Sequence, residues 1–287
     1  MPNLYVVATP IGNLEDITLR ALRILREVKL IAAEDTRKTK RLLNAYSIQT
    51  PTTSYHEHNK KIKLDYILNH LKEDDVALVS EAGMPGVSDP GYELIRAATR
   101  AGIPVVPVPG PSAVITALVV SGLPTDRFLY LGFLPRRASA RKQALKSVAQ
   151  ETETLVILEA PHRLQPTLND LQLLLGDRQL AVCRELTKLH EEVFRGTTGQ
   201  AIARFTEPRG EFTLVIEGKK EEEHQIPNKD IEQRLCDMYQ SGVKTKEAIV
   251  RVAGETGISR RELYRTFLKI NKVSDENRNP CHSLERS

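Results

Sequence analysis

The fold is decided by residues 76–102, VALVSEAGMPGVSDPGYELIRAATRAG. The apolar, β-branched run at 76–80 reads as a buried strand, and YELIRAATRAG reads as a helix. Between them, EAGMPGVSDPG (81–91) holds three glycines and two prolines in eleven residues. A plain strand-to-helix connection takes about two to six residues and one turn former. Glycine lets main chain approach a ligand closely, and proline fixes its direction. The segment therefore reads as one wall of a pocket, built from backbone rather than from side chains.

The same alternation runs outward on both sides. Strands are expected at LYVVAT (4–9), LIAAED (30–35) and IPVVPV (103–108). Helices are expected at 17–28, opened by Asp16 as N-cap, at TRKTKRLLNAYS (36–47), at 91–101 and at 112–121. A further helix falls within 59–75, where Ile62, Tyr66, Leu68 and Leu71 have helical spacing. Apolar strands between amphipathic helices imply a mostly parallel sheet covered on both faces. From about residue 124, FLYLGFLP, ETLVILEAP, LAVCRELTK, EVFRGTT and EFTLVIEGK read as five more strands, with helices carried by RKQALKSVAQE, RLQPTLNDLQLLLG and TGQAIARF.

The expected organisation is an α/β domain over 1–121, a hinge near SGLPTDR, and a second α/β domain over 122–219. A polar linker then covers 220–229, and a small helical domain covers 230–270. In that last domain, two helices joined by a turn at Gly257 have helix-turn-helix layout, and residues 229–269 carry nine Lys or Arg against six Asp or Glu. The tail 271–287 lacks an apolar face and is expected to be disordered.

A length of 287 residues suits more than one domain, and 40% hydrophobic with 27% charged residues is the composition of a soluble globular protein. No apolar stretch approaches the ~20 residues of a membrane span, and MPNLYVVATP has no basic segment ahead of its apolar run. Cys183, Cys236 and Cys281 stand far apart in no pairing pattern, which implies neither a disulfide framework nor a zinc site. A cytoplasmic protein is expected. The net charge of +4 names no partner, but its distribution is informative. Basic clusters at Arg37, Lys38, Lys40, Arg41, at Lys60, Lys61, Lys63, and at Arg136, Arg137, Arg141, Lys142, Lys146 suit a polyanionic substrate as well as solvated helix faces.

In an open α/β sheet, ligands bind beyond the carboxyl ends of the strands. Four segments of the first domain fall there: TPIGN, EDTR, EAGMPGVSDPG and PGPSA. None is a GxxxxGK[ST] or GxGxxG loop, so nucleotide triphosphate and ordinary dinucleotide readings lose their main support.

Taken in order, TPIGNLEDIT, AAEDTRKT, SYHEHN, SEAGMPGVSDPG, PGPSA, LGFLPR, EAPHR, CRELTK and EFTLVIEG resemble the tetrapyrrole-methylase-like (class III) methyltransferases, over about 4–219 plus the helical domain. Within that family the chain is most similar to the branch acting on ribosomal RNA. Its first loop, TPIGN, departs from the GxGxGD-like loop of cofactor-biosynthesis members. The resemblance implies two α/β domains with S-adenosyl-L-methionine in the cleft between them, and a homodimer. It also implies methylation of a cytidine ribose hydroxyl in the decoding region of small-subunit ribosomal RNA, free or in the assembled subunit.

That cofactor needs backbone polar groups for its adenine edge and apolar walls for its thioether and methyl. Gly83, Met84, Pro85, Gly86, Ser88 and Asp89 are suited to line it, with Pro109, Gly110, Ser112 and Ala113 next on the same edge. The second domain offers Phe133, Leu134, Ala160, Pro161, Leu186, Thr187, Thr213 and Leu214, all read as strand ends. Proton transfer needs an acid–base group in the cleft, and the candidates are Glu34, Asp35, His162, Glu185 and Lys188. Asn13, Arg37, Arg136, Arg137 and Arg163 suit the substrate, the arginines as phosphate contacts. His56 and His58 have a ligand spacing and would share a face on a strand, but no third ligand accompanies them, so RNA or dimer contact is preferred and no metal is expected. Two other readings stay open: a porphyrinoid-type small-molecule methyltransferase, and a metabolite-sensing DNA-binding regulator.

Overall fold

The structure, a computed structural model, describes residues 2–220 and 229–275. It divides into two compact units, Met1–Lys219 and Lys220–Ser287.

The first unit holds two five-stranded sheets. Strands β1 (Leu4–Val7), β2 (Leu30–Ala33), β3 (Thr52–Ser54), β4 (Val76–Val79) and β5 (Val105–Val108) form the first, in the order β3-β2-β4-β1-β5. Every pairing in it is parallel. Ala33 pairs with Val79 and Val7 with Val108, so the chain leaves β2, β4, β1 and β5 along one common edge. Helices α1 (Leu19–Glu27) and α2 (Thr36–Ala45) cover one face, packing Leu22, Leu25, Leu42 and Leu43 on Val7, Ile31, Ala77 and Val79. Helices α3 (Lys60–His70) and α4 (Tyr92–Arg100) cover the other, where Ile67, Leu71, Leu94 and Ala98 meet Leu4, Leu30, Val76 and Leu78. Burial on both faces is why these strands read as continuous apolar runs.

Two local expectations are corrected. The N-cap of α1 is Thr18, whose Oγ1 accepts from Ala21 N at 3.1 Å, while Asp16 ends a 3-10 turn at Leu14–Asp16. In α3 the buried stripe is Leu64, Ile67, Leu68 and Leu71, and Ile62 is 80% exposed. Ile62 and Tyr66 share the opposite face, one helical turn apart.

The second sheet comprises β6 (Phe128–Phe133), β7 (Thr154–Glu159), β8 (Gln179–Arg184), β9 (Glu192–Thr197) and β10 (Phe212–Ile216), in the order β6-β7-β10-β8-β9. β6 and β7 are parallel, while β10, the last in sequence, sits at the centre antiparallel to both neighbours. Because Phe212 pairs with Glu159 and with Arg184, the start of β10 lies beside the carboxyl ends of β7 and β8. Helices α6 (Ala138–Ser147), α7 (Pro161–Leu175) and α8 (Thr198–Arg204) cover one face around Leu145, Leu164, Leu168 and Ala201. The other face is covered by α5 (Ala113–Ser121), whose Val114, Ala117 and Leu118 pack on Val156, Ala181, Cys183 and Val215. Sequence grouping places α5 with the first domain; its packing places it on the second sheet. A uniformly apolar helix (AVITALVVS) carries no signal of which sheet it will cover.

Arg141, expected in a basic surface cluster, is buried instead. Its guanidinium meets Asp170 of α7 at 2.8 Å, and both side chains are under a tenth exposed. Lys142 reaches the other Asp170 oxygen at 3.6 Å.

Among its described residues the second unit has three helices, α9 (Lys229–Gln240), α10 (Thr245–Thr256) and α11 (Arg260–Asp275), around Leu235, Ala248, Ile249, Val252, Leu263 and Phe267. Gly257, with φ of 73°, ends α10 in the left-handed conformation. The last helix runs five residues into the segment read as tail. Ile270 and Val273 continue the sequence spacing of Leu263 and Phe267. Residues 276–287 and most of the expected linker lie outside the described residues.

Removing Asp170 leaves the Arg141 guanidinium buried without its partner. Asp170→Ala is expected to cost about 3–5 kcal/mol, read as a lowered urea midpoint, with Arg141→Met/Asp170→Leu recovering most of the loss.

Candidate functional site

The glycine-dense loop is a fixed wall. Gly83 and Thr9 exchange main-chain hydrogen bonds of 2.9 and 3.0 Å, tying EAGMPGVSDPG to TPIGN at the shared sheet edge. The Ser80 hydroxyl reaches Ala82 O and Gly83 O at 3.3 Å. Gly83 and Gly86 have φ of 77° and 85°, a conformation that side-chain-bearing residues rarely adopt. Met84 is half-buried and Pro85 buried. Pro109 and Gly110 follow β5 on the same edge. Ser112 spends its hydroxyl on the Ile115 amide as N-cap of α5, and Ala113 begins that helix.

One carboxyl group, Glu34, meets this wall, and another, Asp89, belongs to it. Glu34 accepts from the Glu81 amide at 3.1 Å. Burial pushes it above the usual carboxylate range, against the opposing charge of Lys38, which is itself paired with Glu81. Asp89 is half-buried. Burial, with the like charge of Glu34 behind it, pushes its carboxyl up to about 7, and a hydrogen bond with Ser80 opposes the shift. Asp35, expected beside them as a catalytic group, is a helix cap. It accepts from Arg37 N at 2.8 Å and Lys38 N at 3.4 Å. The Arg37 guanidinium, 3.2 Å away, holds Asp35 below the usual range. Arg37 itself is 88% exposed.

Ser88, with φ of 63°, brings its hydroxyl to 2.6 Å from the Tyr130 hydroxyl on β6. This is a contact between the edge of the first sheet and the second sheet. A side chain at Gly132 would put Cβ 2.9 Å from Ser88 Oγ. Burial pushes the Tyr130 phenol up, the Ser88 hydrogen bond opposes this, and Asp89 adds to it. Tyr130 is the site residue missed in the sequence. In FLYLGFLP it reads as one more β-forming aromatic, and only the bulge between Tyr130 and Gly132 sets it apart.

The second sheet supplies the CRELTK turn. Glu185 and Thr187 both have positive φ, 50° and 67°. Glu185 Oε1 accepts from Lys188 Nζ and from Glu211 N, each at 2.9 Å, and Lys188 Nζ also donates to Glu211 Oε2 at 3.0 Å. Burial pushes Glu185 up, but the bonds from Lys188 and the Glu211 amide outweigh it, so its carboxyl is held low. Burial lowers Lys188, and its two carboxylate partners more than compensate. The two expected catalytic groups are thus one internal pair that pins the turn to the start of β10. Thr187 N donates to Glu191, while Thr187 Oγ1 is buried with no hydrogen-bond partner among the described residues.

Other expected positions separate. Phe133 is 55% exposed, whereas Leu134 and Leu214 lie in the hydrophobic core under α6–α8. Thr213 and Leu214 are inside β10, opposite Leu158 and Ile157, rather than at its end; their alternation turns only Thr213 toward the α5 face. Leu186 is buried with Ile11, leaving its main chain at the edge. Ala160 and Pro161 open α7, and His162 is exposed on its first turn. Arg163, expected at the substrate, turns inward, donating to Leu134 O at 2.6 Å and Pro135 O at 3.3 Å beside the buried Glu159 carboxylate. It pins the loop after β6. Arg136 and Arg137 stay exposed, Arg137 at the start of α6 without a capping bond. Asn13 caps the 3-10 turn through Glu15 N. His56 and His58 lie in the turn after β3, not on a strand, with ring centroids 6.0 Å apart, and His56 adds its charge near Glu34.

Comparison with known proteins bears on this arrangement. The tetrapyrrole (corrin/porphyrin) methylase family profile matches residues 3–202. A protein of Halalkalibacterium halodurans named ribosomal RNA small subunit methyltransferase I is 47% identical over 275 residues, covering 92% of this chain and 94% of its own. Proteins of the same name from Synechocystis and Thermotoga maritima are 48% and 51% identical, covering 93% and 77% of this chain and 98% and 100% of theirs. Among solved structures, a Thermus thermophilus uroporphyrin-III C-methyl transferase complexed with S-adenyl homocysteine matches with a TM-score of 0.54 at 22% identity, over 75% of this chain and 97% of that one. A diphthine synthase matches with a TM-score of 0.60 at 14% identity, over 75% and 90%. At those identities the structural matches speak to the fold.

The two halves of the site also approach closely at Gly12. A Cβ there would stand 2.4 Å from Lys188 Cγ, 2.8 Å from Thr187 Oγ1 and 2.9 Å from the Leu186 carbonyl oxygen. The lysine stem can move aside, but the carbonyl cannot without shifting the turn. Gly12→Ala is expected to destabilise the protein by about 1–3 kcal/mol, measured as a lowered thermal midpoint.

Proposed function

Since the chain belongs to the tetrapyrrole methylase family, with relatives named ribosomal RNA small subunit methyltransferase I matching over more than nine tenths of it, we propose that it methylates small-subunit ribosomal RNA. The donor is S-adenosyl-L-methionine, and the acceptor is the 2′-hydroxyl of a cytidine in the decoding region. The near-full-length identity of 47–48% carries this reading. The TPIGN loop and exposed Arg136 and Arg137 favour it over a porphyrinoid substrate.

The residues present suit the donor. Gly83 and Gly86 give one wall a backbone with no side chains at those positions, and Met84 and exposed Phe133 supply apolar surface. Thr187 Oγ1 is a buried polar atom with no hydrogen-bond partner among the described residues. When bound, the donor supplies an electrophilic methyl on sulfur. The chain's own task is to orient it, exclude water and receive a proton. Gly83, Met84, Pro85, Gly86, Pro109, Gly110, Phe133, Ala160 and Thr187 would hold it. Arg37, Arg136, Arg137, His56 and His58 would meet the RNA, and the helical unit from 230 would add affinity as a docking domain.

Two finer readings follow. α5 leaves Ile115 and Val119 exposed by 49% and 67%, a face suited to a second copy in a homodimer. A ribosomal substrate also places the protein in the cytoplasm. No helix among the described residues is long and apolar enough to cross a membrane.

The test is incubation of small subunits and of naked RNA with the protein and isotopically labelled donor, followed by mass spectrometry of nucleosides. Labelled 2′-O-methylcytidine is expected; label in base carbon or in a porphyrinoid only would overturn the reading. Replacing Arg136 and Arg137 by Ala is expected to leave donor affinity intact. It should weaken RNA binding and flatten its salt dependence by up to ~2 phosphate contacts. A chain ending at Lys219 should keep donor binding and lose RNA affinity, both measured by titration calorimetry.

A further inference from the structure

Asp89 is half-buried near the end of the glycine-dense loop. The helix that follows it, α4, is capped by Gly91 with no side-chain bond, so Asp89 is not its N-cap. Its hydrogen bond is with the Ser80 hydroxyl, at the end of the central strand β4. The residue before it is held in a left-handed conformation and joined across the cleft to Tyr130. Strain of this kind persists only where its surroundings enforce it, and it concentrates at functional positions.

Most of the other acid–base candidates are engaged by neighbouring groups, and His162 stands apart. Asp35 caps α2. Glu185 is bonded to Lys188 and the Glu211 amide. Glu34 receives the Glu81 amide and the charge of Lys38. His162 stands exposed on the first turn of α7. The charged and titratable groups facing the Asp89 corner are Glu34 from the end of β2, with Asp35, Lys38 and His56 around it, and Tyr130 from β6; Glu81 is paired with Lys38. Glu34 is the charge that acts most on Asp89, and it is of like sign.

We propose that Asp89 is the general base of the methyl transfer, held by Ser80 at the end of β4 and placed next to the Ser88–Tyr130 contact between the two sheets. This rests on the ribose-hydroxyl reading of the acceptor. The Asp89 carboxylate takes the 2′-hydroxyl proton as an oxygen lone pair forms the new bond to the methyl carbon. The carbon–sulfur bond breaks with its electron pair left on sulfur, so a carboxylate, an alcohol and a sulfonium become a carboxylic acid, a methyl ether and a neutral thioether. A carboxyl raised to about 7 is suited to this, being substantially ionised at neutral pH and far more basic than an ordinary aspartate.

The sign of the linkage offers a readout independent of turnover. A folded-state pKa raised above the unfolded value of ~3.9 stabilises the fold below that value, and the stabilisation is lost as pH rises through about 7. Asp89→Asn should therefore raise the thermal midpoint relative to wild type more at pH 8.5 than at pH 5.

The deciding experiment is single-turnover methylation of small subunits between pH 5.5 and 9, with donor affinity measured by calorimetry. Wild-type rate should rise to a plateau with a midpoint near 7. Asp89→Asn should lower it by ~10²–10⁴-fold with donor affinity within about threefold, Asp89→Glu should recover part of it, and Glu34→Gln should move the midpoint to lower pH. An Asp89→Asn rate within tenfold of wild type overturns the proposal. So does an unchanged rate at saturating donor with weakened donor affinity, which would make Asp89 a donor contact alone. A wild-type chain inactive on small subunits and on naked RNA overturns the ribosomal reading and the proposal together, whereas an active wild type with an equally active Asp89→Asn overturns the proposal alone.

Discussion

The close approach of Gly12 to the Leu186–Lys188 turn sets the geometry on which the site depends. With no Cβ at residue 12, the loop after β1 lies directly against the turn after β8. That turn is stiffened from inside by the Glu185–Lys188–Glu211 ion pairs and by two residues at positive φ. Farther along the same edge, Ser88 meets Tyr130. The two contacts hold the carboxyl edge of a parallel sheet against the second sheet. The groups of one edge therefore act on those of the other.

Electrostatics at this edge follows from that approach. Glu34 and Asp89 are both partly removed from water and both raised, first by burial; the charge of Asp35 adds to the shift of Glu34, and the charge of Glu34 adds to that of Asp89. The cations at this edge are already engaged, Lys38 with Glu81 and Arg37 with Asp35. The exposed arginines at the start of α6 present the opposite sign outside, as a polyanionic acceptor requires.

Burial also sorts charged residues that look alike in the sequence. Arg136, Arg137 and Arg141 fall within six residues, yet Arg141 is paired with Asp170 in the interior while the other two face solvent. Arg163 turns inward to the carbonyls of Leu134 and Pro135, while His162 beside it stays exposed. On α7 these neighbours point about 100° apart, so one faces β6 and the other does not.

By itself the sequence determined the alternation of strands and helices, the single edge where TPIGN, EDTR, EAGMPGVSDPG and PGPSA emerge, and the family. These follow from local signals: apolar period, glycine and proline at chain reversals, and motifs kept in order. Tertiary structure decided the partners of the carboxylates. Glu34, Asp35, Asp89 and Glu185 have the same chemistry in sequence; Asp35 becomes a local helix cap, whereas packing makes Glu185 a tether and leaves Glu34 and Asp89 partly buried with raised carboxyls. It also decided that α5 covers the second sheet, that β10 sits between β7 and β8, and that Tyr130 reaches Ser88. Each of these is a contact between segments distant in the chain, set by which surfaces bury each other, and no local pattern encodes it.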